Sequence, residues 1–418
     1  MSCLVIQGGR HLTGRVRVSG RKNAAVAVLP AALLCEDENR FEDLPDIRDV
    51  RTFSEIMQAM GADIERDPQG LLRVRANGLS PSSVPQDLSK RLRASYYLLG
   101  VLLARFGYAE VPLPGGCSIG LRPIDQHIKG LRALGAEVEL EHGVIKARAR
   151  KLRGASIYLD VVSVGATINI LLAATRAEGT TIIENAAKEP HVVDLATFLN
   201  TMGADVRGAG TDVIKVRGVE ELHGCSHAII PDEIEAATLM LAAAATGGDV
   251  VVENVIPKHL DPVSAKLREA GVHVEENGDW IRVKATGRPK AVNVKTLPYP
   301  GFPTDAQQPI SALLAIADGT SFITETIWER RFKHVGELNR MGADIRVEGH
   351  TAIINGVPDL SGTEVRATDL RAGAALIIAG LMAKGETKVC DMEHVDRGYE
   401  RIDEKLSALG ACICRSEP

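Results

Sequence analysis

Six near-copies of one short pattern divide the 418-residue chain at a nearly constant interval. An apolar residue, glycine, alanine, an acid and another apolar residue occur as Met60-Gly61-Ala62-Asp63-Ile64 and Leu134-Gly135-Ala136-Glu137-Val138. They recur as Met202-Gly203-Ala204-Asp205-Val206 and Met341-Gly342-Ala343-Asp344-Ile345, with looser copies at 270–274 and 409–413. The glycines stand at 61, 135, 203, 271, 342 and 410, between 68 and 74 residues apart. A period of this kind marks a repeated supersecondary unit that cannot bury its apolar face alone.

Each unit reads the same way. An Ala/Leu-rich helix such as Thr167–Arg176 or Arg371–Lys384 stops at a glycine, and a short strand follows, as at Thr180–Glu184, Ser321–Thr324 and Thr387–Asp391. An amphipathic helix comes next, for example Val192–Met202 or Arg397–Leu409. The glycine after it fits a left-handed helix cap, and a new strand begins directly beyond. The first helices, such as Val26–Leu34, Tyr96–Leu103 and Ala236–Ala244, have almost no polar face and must be enclosed by protein. The expectation is an α/β fold with helices inside and sheets outside, six units divided three and three between two domains. The boundary falls near Pro231-Asp232, and a single six-unit solenoid is the weaker reading because the Gly/Pro-rich loops are long and irregular.

Composition narrows the function. The net charge of -5 argues against a broad nucleic-acid surface. The longest apolar stretches, Ala94–Ala104, Ala236–Ala245 and Gly373–Ala383, fall short of the ~18 residues of a membrane span. Seven cysteines without framework spacing, and no leader-like apolar run within Met1–Gly20, point to a reducing cytoplasm. No phosphate-loop, dinucleotide or nucleophile-elbow motif is present, and the eleven histidines lack zinc spacing.

The polar residues at the helix starts carry the functional signal. Capping explains Ser163, Thr304 and Thr368. It does not explain Lys22, Arg93 or Arg371, because a cation opposes the positive end of a helix. Cations at buried helix starts call for an anionic ligand carrying phosphate or carboxylate. Lys188, Lys258, Arg330 and His259 read instead as a solvated face, while Arg122 and Arg397 sit among Gly and Pro on shaped loops. Within Pro112–Pro123, glycines and prolines surround Cys117, five residues before Arg122. That setting favours a reactive thiol with a lowered pKa over an inert one. The other cysteines read as small core residues, and Cys412 and Cys414 share a strand face without a metal-binding partner pair.

These residues fall in a known order. Arg21-Lys22-Asn23-Ala24-Ala25, Arg93-Ala94-Ser95, Pro114-Gly115-Gly116-Cys117 and Arg122-Pro123-Ile124-Asp125 resemble the UDP-N-acetylglucosamine 1-carboxyvinyltransferase family. So do Asp160-x-x-Ser163-Val164-Gly165-Ala166-Thr167, Phe302-Pro303-Thr304-Asp305, Thr324-Glu325-Thr326-Ile327, Ala367-Thr368-Asp369-Leu370-Arg371 and Asp396-Arg397-Gly398-Tyr399. The resemblance runs from about Val5 to Ile413 and implies an inside-out α/β barrel pair, the enolpyruvyl transferase fold, with six βαβαββ repeats, three per domain. It places one domain at 22–229 and a discontinuous one at 1–21 plus 230–418.

The implied reaction moves the enolpyruvyl group of phosphoenolpyruvate to the 3′-hydroxyl of UDP-N-acetylglucosamine and releases phosphate, the first committed step toward peptidoglycan. The resemblance implies no metal or organic cofactor. It assigns Lys22, Arg122 and Arg397 to the phosphate and carboxylate of phosphoenolpyruvate, with Asn23 beside both substrates and Arg331 and Arg371 adding positive charge. Cys117 is the implied proton donor to the methylene carbon, able to form a covalent adduct, on a lid loop hinged at Gly115-Gly116 and Gly120. Asp305 would take the proton of the 3′-hydroxyl, and Asp369 would assist with the charge of the tetrahedral intermediate. Arg93, Arg122, Pro123, Ile124, Asp125, Gln126, Ser163, Val164 and Ile327 would face the UDP-sugar, and Val161 stands where some members carry a lysine. A cysteine at 117, rather than the aspartate of resistant members, implies sensitivity to fosfomycin.

Three rival readings are weaker. The sister family that acts on shikimate 3-phosphate carries a Ser-Lys pair at the first site and lacks the Gly-Gly-Cys loop. An idle UDP-sugar-binding paralogue would have lost Cys117, Asp305 or Arg397, and all three are present. A six-unit ring around nucleic acid needs a basic helix stripe that the chain lacks.

Overall fold

The computed structural model describes residues 2–80, 84–113 and 123–416. Those residues form two compact units, one of residues 2–19 with 231–416 and the other of the described residues within 20–113 and 123–230. No helix among the described residues is long and apolar enough to cross a membrane.

The six repeated glycines all adopt a left-handed conformation, with φ between 87° and 102°. At each one the two following-turn hydrogen bonds of a Schellman cap form. Gly61 N–H reaches the Gln58 carbonyl and Ala62 N–H the Met57 carbonyl, and the pattern recurs through Gly410 to Ser407 and Ala411 to Leu406. A Cβ is strained at such a φ, so glycine ends the helix and turns the chain into the next strand. The strands start where the repeat places them, at Asp63–Arg66, Glu137–Glu141, Asp205–Arg207, His273–Asn277, Asp344–Glu348 and Cys412–Ser416.

One repeat shows the plan. Strand Ser156–Tyr158 leads to the buried helix Val164–Ala174, then to strand Thr180–Glu184, which pairs parallel to the first. Helix Pro190–Thr201 follows, then the hairpin Asp205–Arg207 and Val213–Arg217, whose second strand pairs antiparallel with Thr180–Glu184. Alternating exposed and buried residues in Val213–Arg217 show a sheet with one wet face. In each unit three such sheets accompany three helices buried along nearly their whole length. These helices are Lys22–Ala31, Leu98–Phe106 and Val164–Ala174 in one unit, and Glu233–Ala245, Gln307–Leu314 and Leu370–Met382 in the other. Small residues allow the close packing. A Cβ at Gly100 would sit 2.3 Å from the Asn169 carbonyl oxygen.

The first strand, Cys3–Gln7, lies between Glu386–Cys390 and Cys412–Ser416, antiparallel to both, and Thr13–Arg17 runs parallel to Asp249–Glu253. Residues 2–19 therefore pack with 231–416.

Two local expectations need correction. The helix expected over Arg397–Leu409 spans only Ile402–Ala408, because Arg401 is left-handed and the helix can begin only after it. Arg397 consequently lies on a turn. The cysteines also behave differently. Cys3 and Cys390 face each other in register and are disulfide-bonded, while Cys412 and Cys414 are exposed on an edge strand and only Cys35 is a buried free thiol among the described cysteines. Pairing across 387 residues has no trace in local spacing.

Candidate active site

In the unit holding residues 231–416, the site centres on Asp305. It sits in the short turn Thr304–Ala306 that opens into the buried helix Gln307–Leu314. One carboxylate oxygen accepts from Arg331 Nη2 at 2.6 Å, and the other from Arg371 at 3.0 and 3.2 Å. Both arginines are almost fully buried, at 3% and 4% exposure. Burial alone would raise the Asp305 pKa, but Arg371 and Arg331 outweigh it and hold the carboxyl far below the usual range. Arg371 also lies over the Tyr399 ring at 5.2 Å, and Tyr399 is hydrogen-bonded to Thr238. Arg331 Nε and Arg371 Nη1 remain buried without a hydrogen-bond partner. Two cations around one carboxylate, with N–H groups left over, are built to receive an oxyanion.

Asp369, not Thr368, caps Leu370–Met382, accepting from Arg371 N and Ala372 N at 2.9 Å. It also accepts from the Gln308 amide at 3.2 Å. Thr304 is not a cap either, since its hydroxyl donates to Glu325 at 2.8 Å. The capping explanation for Thr304 and Thr368 therefore fails, and Ser163 alone of the three fits it, accepting from Ala166 N at 3.3 Å. Glu325, fully buried, also accepts from Thr296 Oγ1 and from the Ile327 and Trp328 N–H groups, so it fixes the turn that carries Ile327 beside Thr304. Arg397 is half-buried on its turn, between Asp396, held by Arg415 at 2.7 Å, and buried Tyr399.

The other unit contributes a separate set. Lys22 is the first residue of its helix and pairs with Asp49 at 3.0 Å, and Asp49 is only 3% exposed. Asn23 is half-buried beside it in sequence. Arg93 lies over the Tyr96 ring at 5.7 Å, and Tyr96 meets the His127 ring edge-on at 4.8 Å. Asn169 joins these elements. Its amide N–H donates to Tyr96 O at 2.8 Å and reaches His127 Nδ1 at 3.0 Å, and its oxygen accepts from Gly100 N at 2.7 Å. With Nδ1 accepting, the assigned tautomer carries its proton on Nε2. A Cβ at Gly165 would stand 2.8 Å from that nitrogen, so the start of the Val164–Ala174 helix approaches His127 only because residue 165 is glycine. Gln126 is buried, with both ends of its amide engaged by Asp125 and Asp160, while Pro123 and Asp125 are exposed and Ile124 half-buried.

The structure thus brings Asp305, Arg331, Arg371 and Asp369 together, and separately brings Arg93 to the Ser163–Gly165 helix start through Tyr96 and His127. Cys117 and Arg122, with the rest of 114–122, lie outside the described residues. The cations at Lys22 and Arg371 are each answered by a protein carboxylate, which the helix-start argument did not foresee. His127, His334 and Glu325 were missed as well. The histidines were weighed only for zinc spacing, whereas burial next to site residues is what distinguishes them.

His127 and His334 give the fold an acid limit. Burial, reinforced by Arg93, depresses His127 to about 3, and burial depresses His334 to about 4. Unfolded, both protonate near pH 6.5, so their stabilisation is complete above that pH and is lost as pH falls toward 4. At pH 5 each removes about 2 kcal/mol. In urea unfolding at pH 7.5 and pH 5.0, His127→Gln is expected to lose less stability between the two than the parent chain. Equal losses would show that His127 is not buried uncharged.

A family model for EPSP synthase (3-phosphoshikimate 1-carboxyvinyltransferase) matches residues 6–406, and the chain belongs to this enolpyruvyl transferase family. It is 59% identical over 415 residues to UDP-N-acetylglucosamine 1-carboxyvinyltransferase 3 of Caldanaerobacter subterraneus, covering 99% of both chains. It is 58% identical to the protein of the same name from Symbiobacterium thermophilum, covering 99% of this chain and 98% of that one. Among solved structures, the enolpyruvyl transferase NikO from Streptomyces tendae superposes with a TM-score of 0.90 at 30% identity, over 100% of this chain and 99% of that one. The fold is therefore that of the enolpyruvyl transferases.

Proposed function

We propose that the chain transfers the enolpyruvyl group of phosphoenolpyruvate to the 3′-hydroxyl of UDP-N-acetylglucosamine, releasing phosphate, as the first committed step of peptidoglycan synthesis. The observation that carries this reading is half-buried Asp305 gripped by the buried Arg331 and Arg371, a carboxylate base placed among cations that suit an anionic substrate. The 59% identity over nearly the full chain to a protein named for that reaction supports the choice of acceptor.

In the addition step, the 3′-oxygen bonds to C2 of phosphoenolpyruvate while its proton passes to Asp305 and C3 gains a proton from Cys117. In the elimination step, the bond from C2 to the phosphate oxygen breaks, C3 gives a proton back to the thiolate left on Cys117, and the proton held by Asp305 leaves with the phosphate. Asp305 is a weak base while both guanidiniums hold it. An anionic substrate that recruits Arg331 and Arg371 restores its basicity, so the base is unmasked only when there is something to react. Lys22, Arg122 and Arg397 would hold phosphoenolpyruvate, with Asn23 beside both substrates. Arg93, Pro123, Ile124, Asp125, Gln126, Ser163, Val164 and Ile327 would receive the UDP-sugar, and Asp369 would meet charge in the intermediate. In this reading 22–229 and 1–21 plus 230–418 are the two domains. The setting proposed is the cytoplasm, although the Cys3–Cys390 disulfide is not what a reducing compartment favours, and Cys117 as a free thiol would be open to fosfomycin.

Phosphate release from phosphoenolpyruvate should require UDP-N-acetylglucosamine and fall by about 10²-fold or more in Cys117→Ala, the range of a lost general acid. Binding of the sugar nucleotide without turnover would point to an idle paralogue. Release that follows another acceptor would sink the substrate assignment.

A further inference from the structure

A reducing setting and a bond between Cys3 and Cys390 are compatible if that bond opens and closes. Permanent disulfides belong to oxidising compartments, whereas those found in a cytoplasm are mostly transient. The surroundings of the pair fit exchange. Cys3 and Cys390 stand opposite each other on the sheet face that also carries half-buried Val5 and exposed Gln7, while Leu4 and Ile6 point into the core. Cys3 is half-buried and Cys390 only 5% exposed, so an incoming thiolate meets the Cys3 sulfur first. Arg366 lies beside Cys390 in the parallel strand Glu364–Arg366, where it also pairs with Asp391 at 3.3 Å. A guanidinium next to a sulfur favours its departure as a thiolate. On the other side, Cys414 lies opposite Val5, an exposed free thiol on the same face.

The bond also joins three segments that lead to the site. The Cys390 carbonyl accepts from Ala367 N at 3.0 Å, two residues before Asp369, the cap of the helix that carries Arg371. Left-handed Asp391 follows Cys390 and opens the turn that reaches Arg397. Met392 N donates to the Ser2 carbonyl at 3.3 Å, so that turn rests on the residue next to Cys3.

We propose that the Cys3–Cys390 pair is a reversible thiol–disulfide exchange site, opened by a low-molecular-weight thiol, that latches the amino-terminal strand to the segments leading to Asp369 and Arg397. The small thiolate attacks Cys3 Sγ, the S–S bond breaks, and Cys390 leaves as a thiolate that takes a proton from solvent. A second small thiolate attacks the mixed disulfide on Cys3, freeing its thiol and releasing the small disulfide. Two small thiols are oxidised and the protein pair is reduced, and closing runs the same steps in reverse. Only the kinetic consequence rests on the reading of Arg397 as part of the phosphoenolpyruvate site.

The test uses the folded chain carrying Cys412→Ser and Cys414→Ser, so that neither exposed thiol scrambles the bond. It is held in glutathione buffers, one with the reduced form in large excess and one with the disulfide form in excess. Thiol alkylation and peptide mass spectrometry read the pair, which should open in the first buffer and close in the second without denaturant. A bond that yields only once the chain is unfolded, or thiols that stay apart in both buffers, overturns the proposal. Opening should lower the melting temperature by about 5 °C and closing should restore it, while added Cys3→Ser holds the lower value in both buffers. Freed of glutathione, and with Cys117 confirmed as a free thiol, the Cys3→Ser chain should show a KM for phosphoenolpyruvate about threefold above that of the closed form. KM for UDP-N-acetylglucosamine should stay within about twofold. Equal melting temperatures and equal KM values in the open and closed forms would show that the pair latches nothing, and that result also overturns the proposal. Absence of turnover in both forms would count against the reaction itself, while exchange and melting, which need no substrate, still decide the latch.

Discussion

Asp305→Asn is expected to lower kcat by about 10²–10⁴-fold, the range of a lost general base, while tightening the binding of phosphoenolpyruvate. The two effects share one cause. In the structure the carboxylate holds both Arg331 and Arg371, which are buried and each have an N–H left over. Asparagine keeps the shape and removes the charge, so the two guanidiniums lose their counter-ion and an incoming anion has them to itself. Inorganic phosphate should therefore protect the variant against heat more than it protects the parent chain. A variant that binds phosphate more weakly than the parent would mean that Asp305 organises the arginines rather than masking them.

Lys405→Met is expected to cost about 3–5 kcal/mol of stability, the usual result of stripping one partner from a buried ion pair. For a unit of this size that is a fall of about 10 °C in melting temperature. Lys405 pairs with Glu235, whose side chain is only 3% exposed in the buried helix Glu233–Ala245. The second oxygen of Glu235 accepts from Ser19 N at 2.8 Å, and Lys405 also donates to Ser19 Oγ at 2.7 Å. Burial raises the Glu235 pKa even with Lys405 present, and its removal pushes the pKa higher still. A carboxyl whose folded pKa lies above its unfolded value favours folding at low pH and loses that contribution as pH rises. The variant should accordingly be hurt more at pH 8 than at pH 5, and adding Glu235→Gln should recover part of the loss. A deficit independent of pH would trace to packing instead of the orphaned charge.

The helix-start reading shows how far local sequence reaches into the site. Lys22, Arg93 and Arg371 stand at starts of buried or partly buried helical segments, as their positions in the repeat required. Their partners could not be read the same way. Asp49 is 27 residues from Lys22 and Asp305 is 66 from Arg371, and nothing in either neighbourhood marks the match. Thr304 and Thr368 looked like caps because they precede helices, but Glu325 takes one hydroxyl and Asp369 takes over the other cap. Likewise the apolar period that runs a helix back to Arg397 is interrupted by left-handed Arg401, and Arg397 stands on a turn, as its glycine-flanked setting implied.

The sequence by itself determined the repeat, the six left-handed glycine caps, the strands that follow them and the enclosure of the apolar helices. These depend on the steric preferences of single residues and on a period of a few positions, which any stretch of chain carries with it. Tertiary structure alone decided that Asp305 is gripped by two arginines, that His127 and His334 are buried beside site residues, and that Cys3 meets Cys390. Those outcomes depend on distance and desolvation between groups far apart in the chain. Burial multiplies the strength of a charge contact many-fold over its value in water, so the same residue types acquire their chemistry only once the fold has excluded solvent around them.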